Sequence, residues 1–173
     1  MKKDPKIFRC FWSVSTANMI QYHDTEWGVP EHDDIKLFES LILEGAQAGL
    51  TWQTILNRRE GYRKAFDNFN PVKISKYNAS RVKKLMQNPE IIRNKLKIVS
   101  TIQNAKSFLI VQKEFGTFDK YIWGFTNAKE MSIDLKKRGF KFVGETICYA
   151  FMQAVGMVND HEKKCFRYKM LLK

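Results

Sequence analysis

Apolar residues along this chain recur at spacings of three and four, and no run of any length alternates apolar with polar, so the pattern predicts an all-α fold. Before Pro30 no period dominates, which reads as loop with a short helix near Thr16 to Tyr22. Asp33 is a candidate N-cap for a helix from Asp34 to about Ala48. Thr51 is another, for a helix from Trp52 to about Phe66 with Ile55, Leu56, Tyr62 and Phe66 on helical spacings. Beyond a turn at Asn68 to Pro71, a short basic helix is expected from Ser75 to Gln87, and after Pro89 the longest helix, from Ile91 to Phe115. Shorter helices follow at Phe118 to Phe125 and Ser132 to Arg138. Gly139 and Gly144 then bound a tight connection, and an uncharged helical pattern starts at Thr146.

One position breaks the apolar pattern. Glu44 is the only charged side chain between Glu39 and Arg58, and on a helix it shares the stripe of Leu37, Leu41 and Ala48. A carboxylate buried there either takes up a proton with a raised pKa or is met by fixed donors, and both are common at functional sites. Gly45, Ala46, Ala48 and Gly49 leave room for backbone or a flat ligand, and Trp52 offers a ring face. The same residues are also compatible with a surface glutamate beside a close helix contact.

The 173 residues, 44% hydrophobic and 13% aromatic, suffice for one domain with its own core. Against 18 Asp and Glu, 30 Lys and Arg leave a net charge of +12, which favours a polyanionic partner, nucleic acid first. The excess is concentrated: Lys73, Lys76, Arg81, Lys83, Lys84, Arg93, Lys95, Lys97 and Lys106 stand against Glu90 alone. Such a run is either a solvated face or a phosphate-facing one. The glycine-bounded connection likewise has two readings. It is an ordinary Schellman-capped link, or it leaves backbone N–H groups free for a phosphate, with Lys136, Lys137, Arg138 and Lys141 supplying charge.

No window is long and apolar enough to span a membrane and the opening residues carry no secretory signal, so the expectation is a cytoplasmic protein without a membrane partner. In that compartment Cys10, Cys148 and Cys165 point to metal binding, reactivity or burial rather than disulfides. His161 and Cys165, four apart in HEKKC, share a face if that segment is helical, which makes half a zinc site. Cys148 belongs to the apolar helix, leaving Cys10 and His23 for the other half, although their spacing is not diagnostic. A closed Cys10, His23, His161 and Cys165 set leaves no position for water and is structural.

Five segments in order carry a resemblance: RCFW from Arg9, YHDTEWG from Tyr22, LEGAQAGLTW from Leu43, KKRGFKFVG from Lys136 and ICYAFMQAVGMVNDH from Ile147. Together they resemble the 3-methyladenine DNA glycosylase I family of helix-hairpin-helix DNA glycosylases, over nearly the whole chain. The resemblance implies an all-α, two-lobed helix-hairpin-helix fold, with residues 1–173 forming a single glycosylase domain. It implies a structural zinc ion joining the chain ends through Cys10, His23, His161 and Cys165. The implied activity is monofunctional hydrolysis that releases free 3-methyladenine from double-stranded alkylated DNA, by a monomer. The resemblance assigns Glu44, as the catalytic carboxylate, and Tyr22 to hydrogen-bonding the extruded base, Trp52 to stacking on it, and Trp12 and Trp27 to the pocket wall. The hairpin residues Lys137, Gly139, Phe140, Lys141, Val143 and Gly144 are then expected at the DNA.

The chemistry agrees with these residue types. A base methylated at N3 is a cation with an already weak glycosidic bond, so a π face and an acceptor serve it without a strong general acid. Three positions qualify the resemblance. Met19 stands where many relatives carry an aromatic residue, and Glu145 follows the hairpin directly. Asn159, beside Asp160, takes about the place of the water-activating aspartate of the wider superfamily, which narrows the substrates to labile cationic lesions. Two other classes compete. A zinc nucleobase deaminase needs HxE and PCxxC, and neither string occurs. A non-catalytic helix-hairpin-helix DNA-binding module needs only the hairpin and the basic face.

Overall fold

The computed structural model describes residues 7–172, and all regular structure among them is helical. A 3-10 turn, Phe11–Ser15, precedes α1 (Ala17–Thr25). Asp33 caps α2 (Asp34–Gln47) by accepting from the Lys36 N–H, and Thr51 caps α3 (Trp52–Leu56) through Thr54. α4 (Arg59–Ala65) follows, then α5 (Pro71–Ile74), α6 (Ala79–Gln87), α7 (Lys95–Phe115) and α8 (Phe118–Ile122). The last three are α9 (Ala128–Lys137), α10 (Glu145–Ala154) and α11 (Phe166–Met170).

Boundaries differ from the apolar pattern wherever an asparagine cap or a close approach intervenes. Asn78, Asn94 and Asn127 each accept from the N–H three residues on. They start α6 and α7 later, and α9 earlier, than the apolar pattern indicates. The single helix expected from Trp52 to Phe66 is two, broken at Asn57 and Arg58. α4 must pass the loop at Glu90 so closely that a Cβ on Gly61 would lie 2.5 Å from the Glu90 carbonyl oxygen. The turn near Asn68 is a left-handed run, with φ of 49°, 52° and 55° at Asp67, Asn68 and Phe69, after which Asn70 caps α5. The aromatic helix from Phe118 stops at Ile122 rather than Phe125.

The described chain divides into two compact units, one within Glu31–Phe151 and one within Met1–Pro30 and Met152–Lys173. In the first, α7 packs against α2, α5, α6 and α8 and buries Ile98, Ile102, Ala105, Phe108 and Val111. The Phe108 ring lies 4.8 Å from that of Phe38 and 4.5 Å from that of Phe118. A fully buried ring of this kind is worth roughly 1.5–3 kcal/mol of transfer free energy. In the second unit the two ends of the chain meet. Gly156, at φ +78°, lies where a Cβ would come within 2.5 Å of the Pro30 nitrogen. No described helix is long and apolar enough to cross a membrane.

Candidate functional site

In the unit formed by the chain ends, Cys10, His23, His161 and Cys165 are buried together, with their ligand-capable atoms all within 4.8 Å of one another. Outward partners turn both rings. His23 Nδ1 lies 2.8 Å from Asp24 Oδ1, and Arg9 grips the same carboxylate at 2.7 to 3.0 Å. His161 Nε2 lies 3.2 Å from the Trp27 carbonyl oxygen. With each outer nitrogen donating, His23 Nε2 and His161 Nδ1 direct lone pairs inward.

Those two nitrogens are 3.2 Å apart, and Cys165 Sγ is 3.4 Å and 3.6 Å from them. Cys10 Sγ is 3.5 Å from His161 Nδ1. Zinc bonds of 2.0 to 2.3 Å in a tetrahedron imply edges of roughly 3.3–3.8 Å. Donor types and spacing therefore fit one zinc ion with no open position. Burial pushes His161 down to about 4, so its imidazole is neutral, and pushes the Cys10 thiol up to about 12. A thiol so placed loses its proton when a metal cation binds the sulfur and stabilises the thiolate.

The helix expected over His161 to Cys165 is not formed. The segment is a turn, closed by the Cys165 N–H donating to the Glu162 carbonyl at 2.7 Å, and α11 begins only after Cys165. Glu162 explains this: its N–H donates to Cys10 Sγ at 3.3 Å and its carboxylate accepts from the Phe11 N–H at 2.6 Å. Asn159 braces the approach to the turn, donating to the Tyr168 carbonyl at 3.0 Å. Asp160 is exposed and accepts from Gln153.

The aromatic residues of this unit lie beside the cluster. Trp12 sits 4.9 Å from Trp27 and 6.4 Å from Tyr22, centroid to centroid. Tyr22 and Trp27 are buried, and Met19 is buried on the same helix as Tyr22.

In the other unit Glu44 is 5% exposed, and burial raises its carboxyl to about 8. Leu37 and Leu41 on its stripe are buried as expected, but Ala48 falls outside α2 and is exposed. Lys97 Nζ donates to the carbonyls of Ala46 and Ala48 at 2.8 and 2.7 Å, which ties down the helix end. Gly49 follows at φ +77°, then Thr51 caps the short helix that begins with Trp52. Gly45 is small because of packing: a Cβ there would lie 3.2 Å from that of Phe142. Gly49 has open space instead.

The glycine-bounded connection is a Schellman turn. The Phe140 N–H donates to the Leu135 carbonyl and the Gly139 N–H to that of Lys136, both at 3.0 Å, with Gly139 at φ +89°. The side chains of Phe140 and Val143 are buried, so only their main chain can face outward, while Lys136, Lys137 and Lys141 are exposed. Gly144 precedes α10 with nothing within 4 Å of where its Cβ would stand, and Glu145 occupies the first turn. Arg138 does not add to the charge offered outward. It pairs with Glu114 and Asp134, both at 2.7 Å, and lies over the rings of Phe115 and Tyr121. Of the basic run, Lys97 turns inward and Arg81 is engaged with the Ala65 carbonyl and Asp67. The other seven cations are exposed.

The sequence alone did not single out Arg9, Asp24, the inward grip of Lys97, or Asn104, whose amide bonds both main-chain groups of Lys141. Each acts through a contact to a residue distant in the chain or through a backbone carbonyl, and neither leaves a local signature.

A family model described as methyladenine glycosylase matches residues 12–131 and 126–168. The chain is 44% identical to a DNA-3-methyladenine glycosylase of Haemophilus influenzae, over 91% of this chain and 96% of that one. It superposes on a crystal structure of 3-methyladenine DNA glycosylase I with a TM-score of 0.88 at 43% identity, covering 92% of this chain and 98% of the other. A variant of 3-methyladenine DNA glycosylase I in complex with 3-methyladenine also gives 0.88, at 31% identity over 91% of this chain and 96% of that one.

Proposed function

The chain belongs to the methyladenine glycosylase family, and on that premise we propose that it releases 3-methyladenine from alkylated double-stranded DNA by hydrolysing the N-glycosidic bond, opening base-excision repair. The observation that carries this reading is Glu44, a carboxylate buried in the apolar face of α2 at a cost to the fold. A cation beside it draws the carboxyl back to its ionised form, so the site favours a positively charged base over a neutral one. Trp52 supplies a ring face for stacking, Tyr22 a hydroxyl for the base, and Trp12 and Trp27 the aromatic wall.

In the reaction the electron pair of the glycosidic bond passes to the methylated ring and cancels its charge, so the base leaves neutral. The positive charge moves to the sugar, which takes up water and loses a proton. No strong general acid is needed for such a leaving group, and at the place of the water-activating aspartate stands Asn159, engaged with the Tyr168 carbonyl. Extrusion of the nucleotide costs a few kcal/mol, which phosphate contacts offset. The link between α9 and α10 serves here as a helix-hairpin-helix, offering Lys137, Lys141 and the main chain from Gly139 to Gly144 to the DNA backbone. Cys10, His23, His161 and Cys165 would hold one zinc ion, which would supply a closed structural cross-link between the chain ends with no open position for water. The whole chain acts as one glycosylase domain and as a monomer.

The test is chromatographic detection of bases released from methylated DNA. Release of free 3-methyladenine, reduced in Glu44→Gln, is the expected result. DNA binding without any base release overturns the enzymatic reading in favour of a binding module.

A further inference from the structure

α7 carries two side chains that grip the main chain of two separate functional segments. Lys97 Nζ donates to the carbonyls of Ala46, inside α2, and Ala48, beyond its end. It thus fixes the direction in which the chain leaves Glu44 and turns toward Trp52. Asn104, 3% exposed, holds Lys141 at both ends: its Oδ1 accepts from the Lys141 N–H at 2.7 Å and its Nδ2 donates to the Lys141 carbonyl at 3.0 Å. The two positions are seven residues apart, two turns on one face of the helix, or about 10.5 Å along its axis. Thr101 stands between them and donates back to the Lys97 carbonyl at 2.9 Å, pointing along the same face. The segments also meet directly, since Gly45 lies against Phe142. From α9, Ser132 Oγ donates to the Val143 carbonyl at 2.7 Å, a third tether on the hairpin.

We propose that α7 positions the base-recognising segment and the DNA-gripping hairpin separately, with Lys97 as the positioning residue of the first and Asn104 of the second. The proposal rests on the functional reading above for the identity of the two ligands. Any buried carbonyl needs a partner, but a water or hydroxyl serves that purpose for one carbonyl. A single ammonium bridging both sides of a helix end, and one amide reading both edges of a residue, fix orientation as well. The Lys97 ammonium and both ends of the Asn104 amide are engaged with these main-chain groups, so both side chains act through the backbone they hold.

The experiment measures two affinities for each variant: for free 3-methyladenine and for undamaged duplex DNA. Lys97→Met keeps the chain length and loses the donors. It should lower free-base affinity about tenfold, as expected for losing charge-assisted hydrogen bonds, and leave duplex affinity within about twofold. Lys97→Arg, which retains a cationic donor, should restore much of the loss. Asn104→Leu should do the reverse, lowering duplex affinity about tenfold with free-base affinity unchanged. If that variant does not fold, Asn104→Asp keeps the acceptor for the Lys141 N–H and removes only the donor. A crossed pattern supports the proposal. Equal losses in both affinities, or none, overturn it. Because the readout is binding, it stands whether or not the wild type releases a base, and release assayed alongside tests the functional reading on its own.

Discussion

The Cys10, His23, His161 and Cys165 cluster and the carboxyl of Glu44 are both buried in largely apolar surroundings, yet their partners differ. In the cluster, outward hydrogen bonds to Asp24 and Trp27 set the rings and the four inward atoms converge within 4.8 Å of one another. At Glu44 burial alone drives the proton affinity up. The first arrangement serves the fold and the second works against it. Polar burial that lowers stability is expected where a group recognises something, as proposed for Glu44 and a cationic base.

The largest effect should come from breaking the cluster. Cys165→Ala should reduce zinc from one ion per chain to none by elemental analysis. A cross-link closing a loop of over a hundred residues is worth up to about 4–5 kcal/mol, so Tm should fall by about 10 °C or more. Unchanged Tm and no zinc in the wild type would remove the contrast from its stable side.

Glu44→Gln should move stability the other way, and only in one pH window. The folded carboxyl titrates at about 8 against 4.5 for the free group, so the folded state binds the proton more tightly. Its contribution is complete below pH 4.5 and is lost as pH rises toward 8. The variant should match the wild type near pH 4 and exceed it by up to a few kcal/mol at pH 8.5 in chemical denaturation. A gain of the same size at both pH values would mean that packing, not ionisation, is responsible.

Smaller effects sharpen the recognition side. Trp52→Ala should weaken binding of free 3-methyladenine by about 1–3 kcal/mol in calorimetry, more than Glu44→Gln does. Lys141→Glu should lower duplex affinity and reduce the slope of log affinity against log salt by about one, because one phosphate contact is lost.

Much of this was legible in the sequence for physical reasons. Helical spacing gave the fold class, and Asp33 and Thr51 announced their helices because a cap is a local device. Glu44 stood out against its neighbours, and its burial followed from the stripe. The four candidate metal ligands do lie together, but the segment from His161 to Cys165 is a turn rather than the helix that would put both on one face, and it is anchored by Glu162 reaching Cys10, 152 residues away. Lys97 was counted with an outward basic face although it turns inward to α2, since its partners lie 51 and 49 residues back. Arg138 was credited to the phosphate surface, but Glu114, 24 residues earlier, captures it. Periodicity and caps report contacts along one helix; these residues are governed by contacts between helices.

The proposed role of Glu44 is recognition of the cationic base by an ionisable carboxylate. Its most direct test is the rate of 3-methyladenine release from methylated DNA, under single-turnover conditions at subsaturating enzyme, against pH for wild type and Glu44→Gln. The wild-type rate should rise with pH, pass half its maximum at about 8, where the free enzyme's carboxyl ionises, and level off about one pH unit above. The variant should be slower by on the order of ten- to a thousandfold at the plateau and should show no such rise. Release by Glu44→Gln at the wild-type rate, or with the same pH profile, would contradict it.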